Sequence, residues 1–388
     1  MTLVGLVALA SAMGIGRFAF TPLLPLMLGV DGFSLAQSAW VASANYLGYL
    51  AGAAASWAFA FRASPAARWG LAAVAVTTLL GAVAHSVVAW IAVRFAAGMA
   101  SAFVLIGASD WALAALAHRR RMQWSGWTFA GVGTGIFLAG LTSLVGASLG
   151  ASARSLWAAL GVLAAIAAAL TWGPLASTRY SASQTAAGAD RRVDAAGWIL
   201  IACYGAFGFG YILPATFIPA AAHAVVQDPA RFAWAWPLFG LAAAVSTVVV
   251  SAFLPLGARP RVVAGWSLVV MALGVFLTAV GGRLETLCAA AVCVGGTFMV
   301  ATMSCLQEAR RIGGDAPGRL IAAMTAAFAV GQLSGPLTVG SGNSIGRAIA
   351  LPSAIAAAVL LLAGAILLAL RSEPRPTPVP AVHSGECK

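Results

Sequence analysis

The sequence has very few charged residues: they make up 8% of the 388 residues, and only 10 residues are acidic. A soluble domain carries about three times that share of charge. The hydrophobic share is instead 61%, and the mean hydropathy is +0.94. The apolar runs are long and lack the period-two alternation of barrel strands. The composition therefore predicts an all-α integral membrane protein with many spans.

Histidine and cysteine are also scarce, with 4 and 5 residues. The histidines are scattered, and no pair shares a helix face as haem or zinc ligands do. The cysteines of the predicted spans are best explained as small packing residues. No Gly-rich Lys-Ser/Thr nucleotide motif occurs. We therefore expect no cofactor, no metal, no enzymatic activity and no direct ATP drive.

Turn residues and charges divide the chain into twelve apolar runs, each long enough to cross a bilayer. These predicted spans cover residues 3–28, 37–61, 69–87, 88–117, 123–150, 155–174, 196–222, 232–254, 262–281, 285–307, 318–340 and 349–370. A polar stretch follows the sixth span. We predict an N-terminal six-helix bundle over residues 1–175, a linker over 176–195, a C-terminal six-helix bundle over 196–371 and a tail over 372–388.

The basic residues are distributed unevenly between the two sets of predicted loops. One set carries only Arg154, Arg231, Arg283 and Arg347, whereas most other arginines and Lys388 lie in the opposite loops and the tail. Basic loops stay in the cytoplasm. Both termini and the linker are therefore predicted to be cytoplasmic. The net charge of +12 is explained by contact with anionic lipid, and no nucleic-acid partner is expected.

The two halves repeat each other. A shift of 194 residues aligns GIGRFAFTPLLP at residues 14–25 with GFGYILPATFIP at residues 208–219, and AGVGTG in the fifth span has a counterpart in AVGQLSG in the eleventh. The matched residues are Gly14 with Gly208, Gly16 with Gly210, Pro25 with Pro219, and Gly131 and Gly135 with Gly331 and Gly335. We predict two pseudo-symmetric bundles of parallel topology.

This arrangement, with RFAAGMASA in the fourth span, resembles the major facilitator superfamily. Three stretches resemble its YbfB/YjiJ-type branch: MGIGRFAFTPLLPLM at residues 13–27, SANYLGYLAG at residues 43–52 and GQLSGP at residues 331–336. The resemblance implies a bacterial inner-membrane transporter with a central site that is exposed alternately to either side by a rocker-switch motion. The expected partners are a small-molecule substrate, protons and the lipid bilayer, and the chain is expected to be a monomer. The loop FRASPAARWG and the fifth span lack features of drug antiporters, which counts against drug efflux.

The candidate substrate-binding residues are polar side chains on predicted helix faces. Arg17 lies at mid-depth, where a charge is costly. Thr21 shares its stripe, and the repeat places Tyr211 opposite. The remaining candidates are Asn45, Tyr49, Thr297 and Gln332. The alternatives are a structural role for Arg17, with donation to helix ends or carbonyls, and interhelical hydrogen bonding for the others.

Five more charged residues are candidates for coupling and gating. One lies in the fourth span, and the other four lie near the predicted inner helix ends. Arg94 is a candidate for proton coupling, with snorkelling or hydrogen bonding inside the bundle as the alternative. Asp110 and Glu308 precede basic runs, so we expect them to pair with arginines in an inner gate. Arg62 or Arg68 is the expected partner of Asp110.

These residues predict a secondary active transporter that is coupled to protons. Its expected substrate is an organic anion that Arg17 binds. The alternatives are a uniporter or exchanger, efflux of neutral or cationic compounds, and a sensor that uses the same fold without transport.

Overall fold

The computed structural model describes residues 1–28, 35–59, 61–176, 193–225, 234–253, 258–280, 283–313, 317–338 and 345–370. The first span consists of α1a (Thr2–Leu9), a π-helix (Ala10–Ile15) and α1b (Phe20–Leu28). The later helices are α2 (Leu35–Phe59), α3 (Ala63–Leu80), α4 (Val87–His118), α5 (Ser125–Ser148), α6 (Ala153–Ala176), α7 (Ala195–Val225), α8 (Ala235–Phe253), α9 (Pro260–Val280), α10 (Leu284–Gly313), α11 (Pro317–Leu337) and α12 (Ile345–Ala369).

Each predicted span coincides with a helix. The third ends seven residues early, at Leu80, the tenth ends six residues late, at Gly313, and two other differences are informative. The first span is broken instead of continuous. The third begins six residues early, at Ala63, because Pro65 occupies its first turn, where proline is favoured. Nine stretches of the described chain are long and apolar enough to cross a membrane. The others, α2, α3 and α11, are less apolar because they carry polar or charged side chains such as Asn45, Arg68 and Gln332. The interior of the predicted linker and the tail lie outside the described residues.

The helix contacts of one half repeat in the other when six is added to each helix number. In the N-terminal half, α2 and α3 pack on α4, α3 packs on α6, and the first span packs on α5. In the C-terminal half, α8 and α9 pack on α10, α9 packs on α12, and α7 packs on α11. The halves meet through α5 with α8 and through α2 with α11, which are also related by this rule. The chain thus forms two pseudo-symmetric six-helix bundles.

The glycines that match between the halves lie at close helix crossings. A Cβ added at Gly14 would strike the backbone of Gly135 on α5, and one added at Gly331 on α11 would strike the backbone of Gly205 on α7. Small residues allow such close approach of helices in a membrane. The glycines of the sequence repeat therefore lie at two equivalent helix crossings, that of the first span with α5 and that of α7 with α11.

Candidate functional site between the two halves

The first span loses its regular helical pattern about midway along its length, at the position of Arg17. The N–H of Gly16 donates to the carbonyl of Ser11 at 2.9 Å, and that of Phe18 donates to Met13 at 3.2 Å, so both bonds span five residues. Pro22 has no N–H for the carbonyl four residues before it. Short π segments often mark functional sites, and broken helices line transporter sites.

Arg94 on α4 holds this break in place. Its Nη1 donates to the carbonyl of Gly16 and its Nη2 to that of Arg17, both at 2.8 Å. Ser101, two turns along α4, donates to the carbonyl of Ala12 at 2.8 Å, and Asn45 on α2 donates to the carbonyl of Arg94 at 2.9 Å. Arg94 thus has the hydrogen bonds inside the bundle that were one of its two expected roles.

Arg17 is buried, with 3% of its surface exposed. Its Nη2 donates to Oε1 of Gln332 on α11, in the other half, and its guanidinium lies 3.8 Å from the ring centre of Tyr49. Its Nε and Nη1 are buried without a hydrogen-bond partner, as are Nε2 of Gln332 and Oδ1 of Asn45. A guanidinium has five N–H donors, so most of them lack an acceptor here.

No acidic side chain in the described parts of the chain neutralises Arg17. Within those ranges, Asp110 and Glu308 form ion pairs with arginines of α10. The other described acids, Asp194 and Glu285, lie at the beginnings of α7 and α10. The centre of the molecule therefore carries a positive charge whose direct partners are an amide and aromatic rings.

Aromatic rings from both halves continue the site beyond Arg17. Tyr211 on α7 stacks on Phe298 of α10, with 4.5 Å between ring centres and an angle of 7°. Phe298 also contacts Phe18, the neighbour of Arg17, edge to face at 6.1 Å. Phe328, one turn before Gln332 on α11, lies 5.8 Å from Tyr211. These rings join Arg17 and Tyr211 in one buried cluster.

Phe18, Phe298 and Phe328 could not be selected from the sequence, because phenylalanine is common throughout membrane helices. The one available signal is their spacing from the polar candidates. Phe18 follows Arg17 directly, Phe298 follows Thr297, and Phe328 lies four residues before Gln332.

Thr297, a predicted substrate-binding residue, lies outside this cluster. Thr297 lines a groove of about 400 Å³ between α8, α9 and α10, with Trp266 and Val270, and its hydroxyl donates to Cys293 of its own helix at 2.6 Å. Thr21, which was predicted to share a stripe with Arg17, is half-buried on α1b, the helix that begins after the break in the first span.

The inner ends of the two halves are joined by an ion pair. Asp110 on α4 accepts a hydrogen bond from Arg310 on α10, which also donates to the backbone carbonyl of Asp110 at 3.2 Å. Gln307, one turn before Arg311 on α10, donates to the hydroxyl of Ser125 on α5 at 2.8 Å. These bonds connect the N-terminal half to the C-terminal half at the ends that the sequence predicts to be cytoplasmic.

The expected partners of Asp110 are corrected by this arrangement. Arg68 lies 4.2 Å from the ring centre of Trp172 on α6, and Arg62 is an exposed residue at the beginning of α3. Neither arginine pairs with Asp110, whose partner is Arg310 instead. Glu308 pairs with Arg311 of its own helix, at 2.6 Å, and so does not bridge the halves.

Comparison with known proteins agrees with this architecture. A family model described as "Uncharacterised MFS-type transporter YbfB" matches residues 9–368. The chain is 38% identical over 100 residues to the "Uncharacterized MFS-type transporter YceJ" of Bacillus subtilis (strain 168), and this match spans only 24% of each protein.

A solved structure shares the fold over almost the whole chain. The human organic anion transporter MFSD10 (TETRAN) superposes with a TM-score of 0.71, covers 94% of this chain and 99% of its own, and is 15% identical. The family match, the twelve-helix architecture and the buried site between the halves lead to one conclusion: the chain belongs to the YbfB-type family of major facilitator superfamily transporters.

Proposed function

We propose that this transporter moves a small organic anion across the membrane and that Arg17 binds the carboxylate of its substrate. One observation carries the proposal: Arg17 is buried between the halves with Nε and Nη1 lacking partners. A buried charge without a counter-ion is costly. A carboxylate would supply both the negative charge and two acceptor oxygens for the guanidinium.

A cationic or neutral substrate fits this site less well. A lipophilic cation would be repelled by Arg17, and a protein that moves such compounds would need an acid to neutralise the arginine. The direct partner of Arg17 is instead the neutral Gln332. The name of MFSD10 gives it as an organic anion transporter, so the fold is compatible with such a substrate. At 15% identity this likeness does not extend to the site residues.

The mechanism that we propose is alternating access by rocking of the two halves. Arg17 and Gln332 belong to different halves, so a substrate that replaces their hydrogen bond would act directly on the interface. Asp110 and Arg310 form the inner gate, which must break before the site opens to the cytoplasm. Arg94 positions Arg17 through the two carbonyls of the break.

We further propose that the protein works as a monomer in the bacterial inner membrane, with both termini in the cytoplasm, and that transport is driven by the proton gradient. The predicted linker and the basic residues of the inner loops support this orientation.

Collapse of the proton gradient with a protonophore is expected to abolish accumulation of the substrate. Accumulation that survives the protonophore would show another form of coupling.

Ligand-induced thermal stabilisation of the purified full-length protein tests the anion proposal. A panel of organic acids, sugars, amino acids and cationic drugs should contain anions that raise the melting temperature of the wild type. Arg17→Gln should lose this stabilisation, and Arg17→Lys should keep a weaker one because it retains the charge without the planar fork. Arg283→Gln, which removes an exposed arginine at the beginning of α10, is the matched control. Binding of cations and no anions would refute the proposal.

A further inference from the structure

We infer that the preferred substrate is an aromatic monocarboxylate, with its carboxylate on Arg17 and its ring among Phe18, Tyr211, Phe298 and Phe328. This inference rests on the proposed function, because it assumes that Arg17 binds an anion. It adds two properties that the proposal leaves open: the number of charges on the substrate, and whether the part beyond its carboxylate is aromatic or aliphatic.

The number of charges follows from the arginines that are free to bind. Arg17 has unpartnered donors, whereas both terminal nitrogens of Arg94, the other arginine near the break, donate to backbone carbonyls. The described part of the site therefore offers one cation. A second carboxylate on the substrate would be buried among aromatic rings without a partner, which is strongly unfavourable.

The aromatic character of the substrate follows from the side chains that surround Arg17. Phe18 contacts both Phe298 and Trp236, at 6.1 and 6.4 Å, and Trp236 stacks on Phe239 at 5.5 Å. Phe18 belongs to the N-terminal half, and its three partners in this chain of contacts belong to the C-terminal half. Rocking of the halves separates these rings. An aromatic substrate can replace the edge-to-face and stacked contacts that are lost.

Two polar atoms argue against a purely structural aromatic core. The hydroxyl of Tyr211 and Nε1 of Trp236 are buried without a hydrogen-bond partner. Buried tyrosine and tryptophan usually find a partner, and a dry core gains nothing by leaving these groups unpaired. In a substrate site, the same groups would bind polar atoms of the ligand or its water in another state of the transport cycle.

The experiment measures binding of four probes to the purified full-length protein: phenylacetate, butyrate, adipate and phenethylamine. Phenylacetate and butyrate differ in the ring, adipate adds a second carboxylate, and phenethylamine replaces the anion by a cation. In the wild type we expect phenylacetate to bind most tightly. Phe298→Leu should raise the Kd of phenylacetate by about tenfold and leave that of butyrate within about twofold, because aromatic pairs contribute beyond the area they bury.

Phe253→Leu is the matched control, because Phe253 lies on the outer face of α8 with 82% of its surface exposed. Butyrate binding reports whether Phe298→Leu folds, and Phe328→Leu provides the same test if it does not. Arg17-dependent binding of adipate or butyrate at least as tight as that of phenylacetate would overturn this inference and leave the anion proposal intact. Binding of phenethylamine without any carboxylate would overturn both.

Discussion

At the scale of single residues, the two buried arginines of the N-terminal half have different surroundings. Arg94 donates through both terminal nitrogens to backbone carbonyls, whereas Arg17 has an amide, a tyrosine ring and unpartnered nitrogens. The sequence was sufficient to select both, because charges are rare within spans. It could not separate their roles, since these depend on the carbonyls that the break in the first span leaves free.

Replacing Arg94 by lysine should weaken anion binding without abolishing it. A single ammonium cannot reproduce the planar fork that bridges the carbonyls of Gly16 and Arg17, so Arg17 would be less well positioned. We expect a lower melting temperature of the free protein, from the loss of a charged hydrogen bond worth about 1.5–3 kcal/mol, and a higher Kd for the anion. Unchanged anion binding with loss of concentrative transport would instead assign Arg94 to coupling.

The partner of Asp110 could not be predicted from the sequence either. The expected candidates, Arg62 and Arg68, are nearer in the chain, but Arg310 lies 200 positions away on the other half. Only the arrangement of α4 against α10 determines this choice. The basic pair at residues 310 and 311 was a visible signal, but its two members have different partners, Asp110 and Glu308.

At the scale of helices, the glycine crossings and the broken first span determine where Arg17 lies. The matched glycines could be found in the sequence because both halves need small residues at equivalent crossings. The π segment could not, since its freed carbonyls are satisfied by Arg94 and Ser101 of another helix. A continuous helix was the simplest expectation, because the first span is long enough to cross the bilayer as one helix.

Adding one methyl group at either crossing should destabilise the protein. Gly14→Ala and Gly331→Ala place a Cβ against the backbone of a neighbouring helix. We expect each to reduce the free energy of unfolding by about 1–3 kcal/mol, as overpacking does. Gly173→Ala on α6 is the control, because a Cβ there meets no atom within 4 Å. Equal thermal stability of the three variants would contradict these crossings.

At the scale of the whole molecule, the two bundles are held together by a close α5–α8 contact and by polar bonds at their inner ends. Gly133 on α5 and Gly240 on α8 bring those helices together, and the ion pair of Asp110 with Arg310 links α4 to α10. The fold itself was predictable, because span length and loop charge follow from the bilayer and the internal repeat is visible in the sequence. The cluster of aromatic rings beside Arg17 was not, since apolar rings are expected anywhere in such a protein.

Neutralising Arg310 should open the inner ends of the halves. Arg310→Gln removes the ion pair across the interface, whereas Arg311→Gln removes only the pair within α10 and serves as its control. Hydrogen exchange should accelerate at the inner ends of α4 and α10, over residues 108–118 and 303–313, in the first variant and much less in the second. The same exchange rates in both variants would show that this ion pair does not close the inner side.

The most direct test of the central claim is uptake of an organic anion by proteoliposomes that contain the full-length protein. The anion is one that stabilises the wild type, and Arg283→Gln provides the control for loss of a positive charge. If Arg17 holds the substrate, wild type and Arg283→Gln should show saturable uptake, Arg17→Lys weak uptake, and Arg17→Gln none, with all four proteins inserted in equal amounts. Normal uptake by Arg17→Gln would contradict the account.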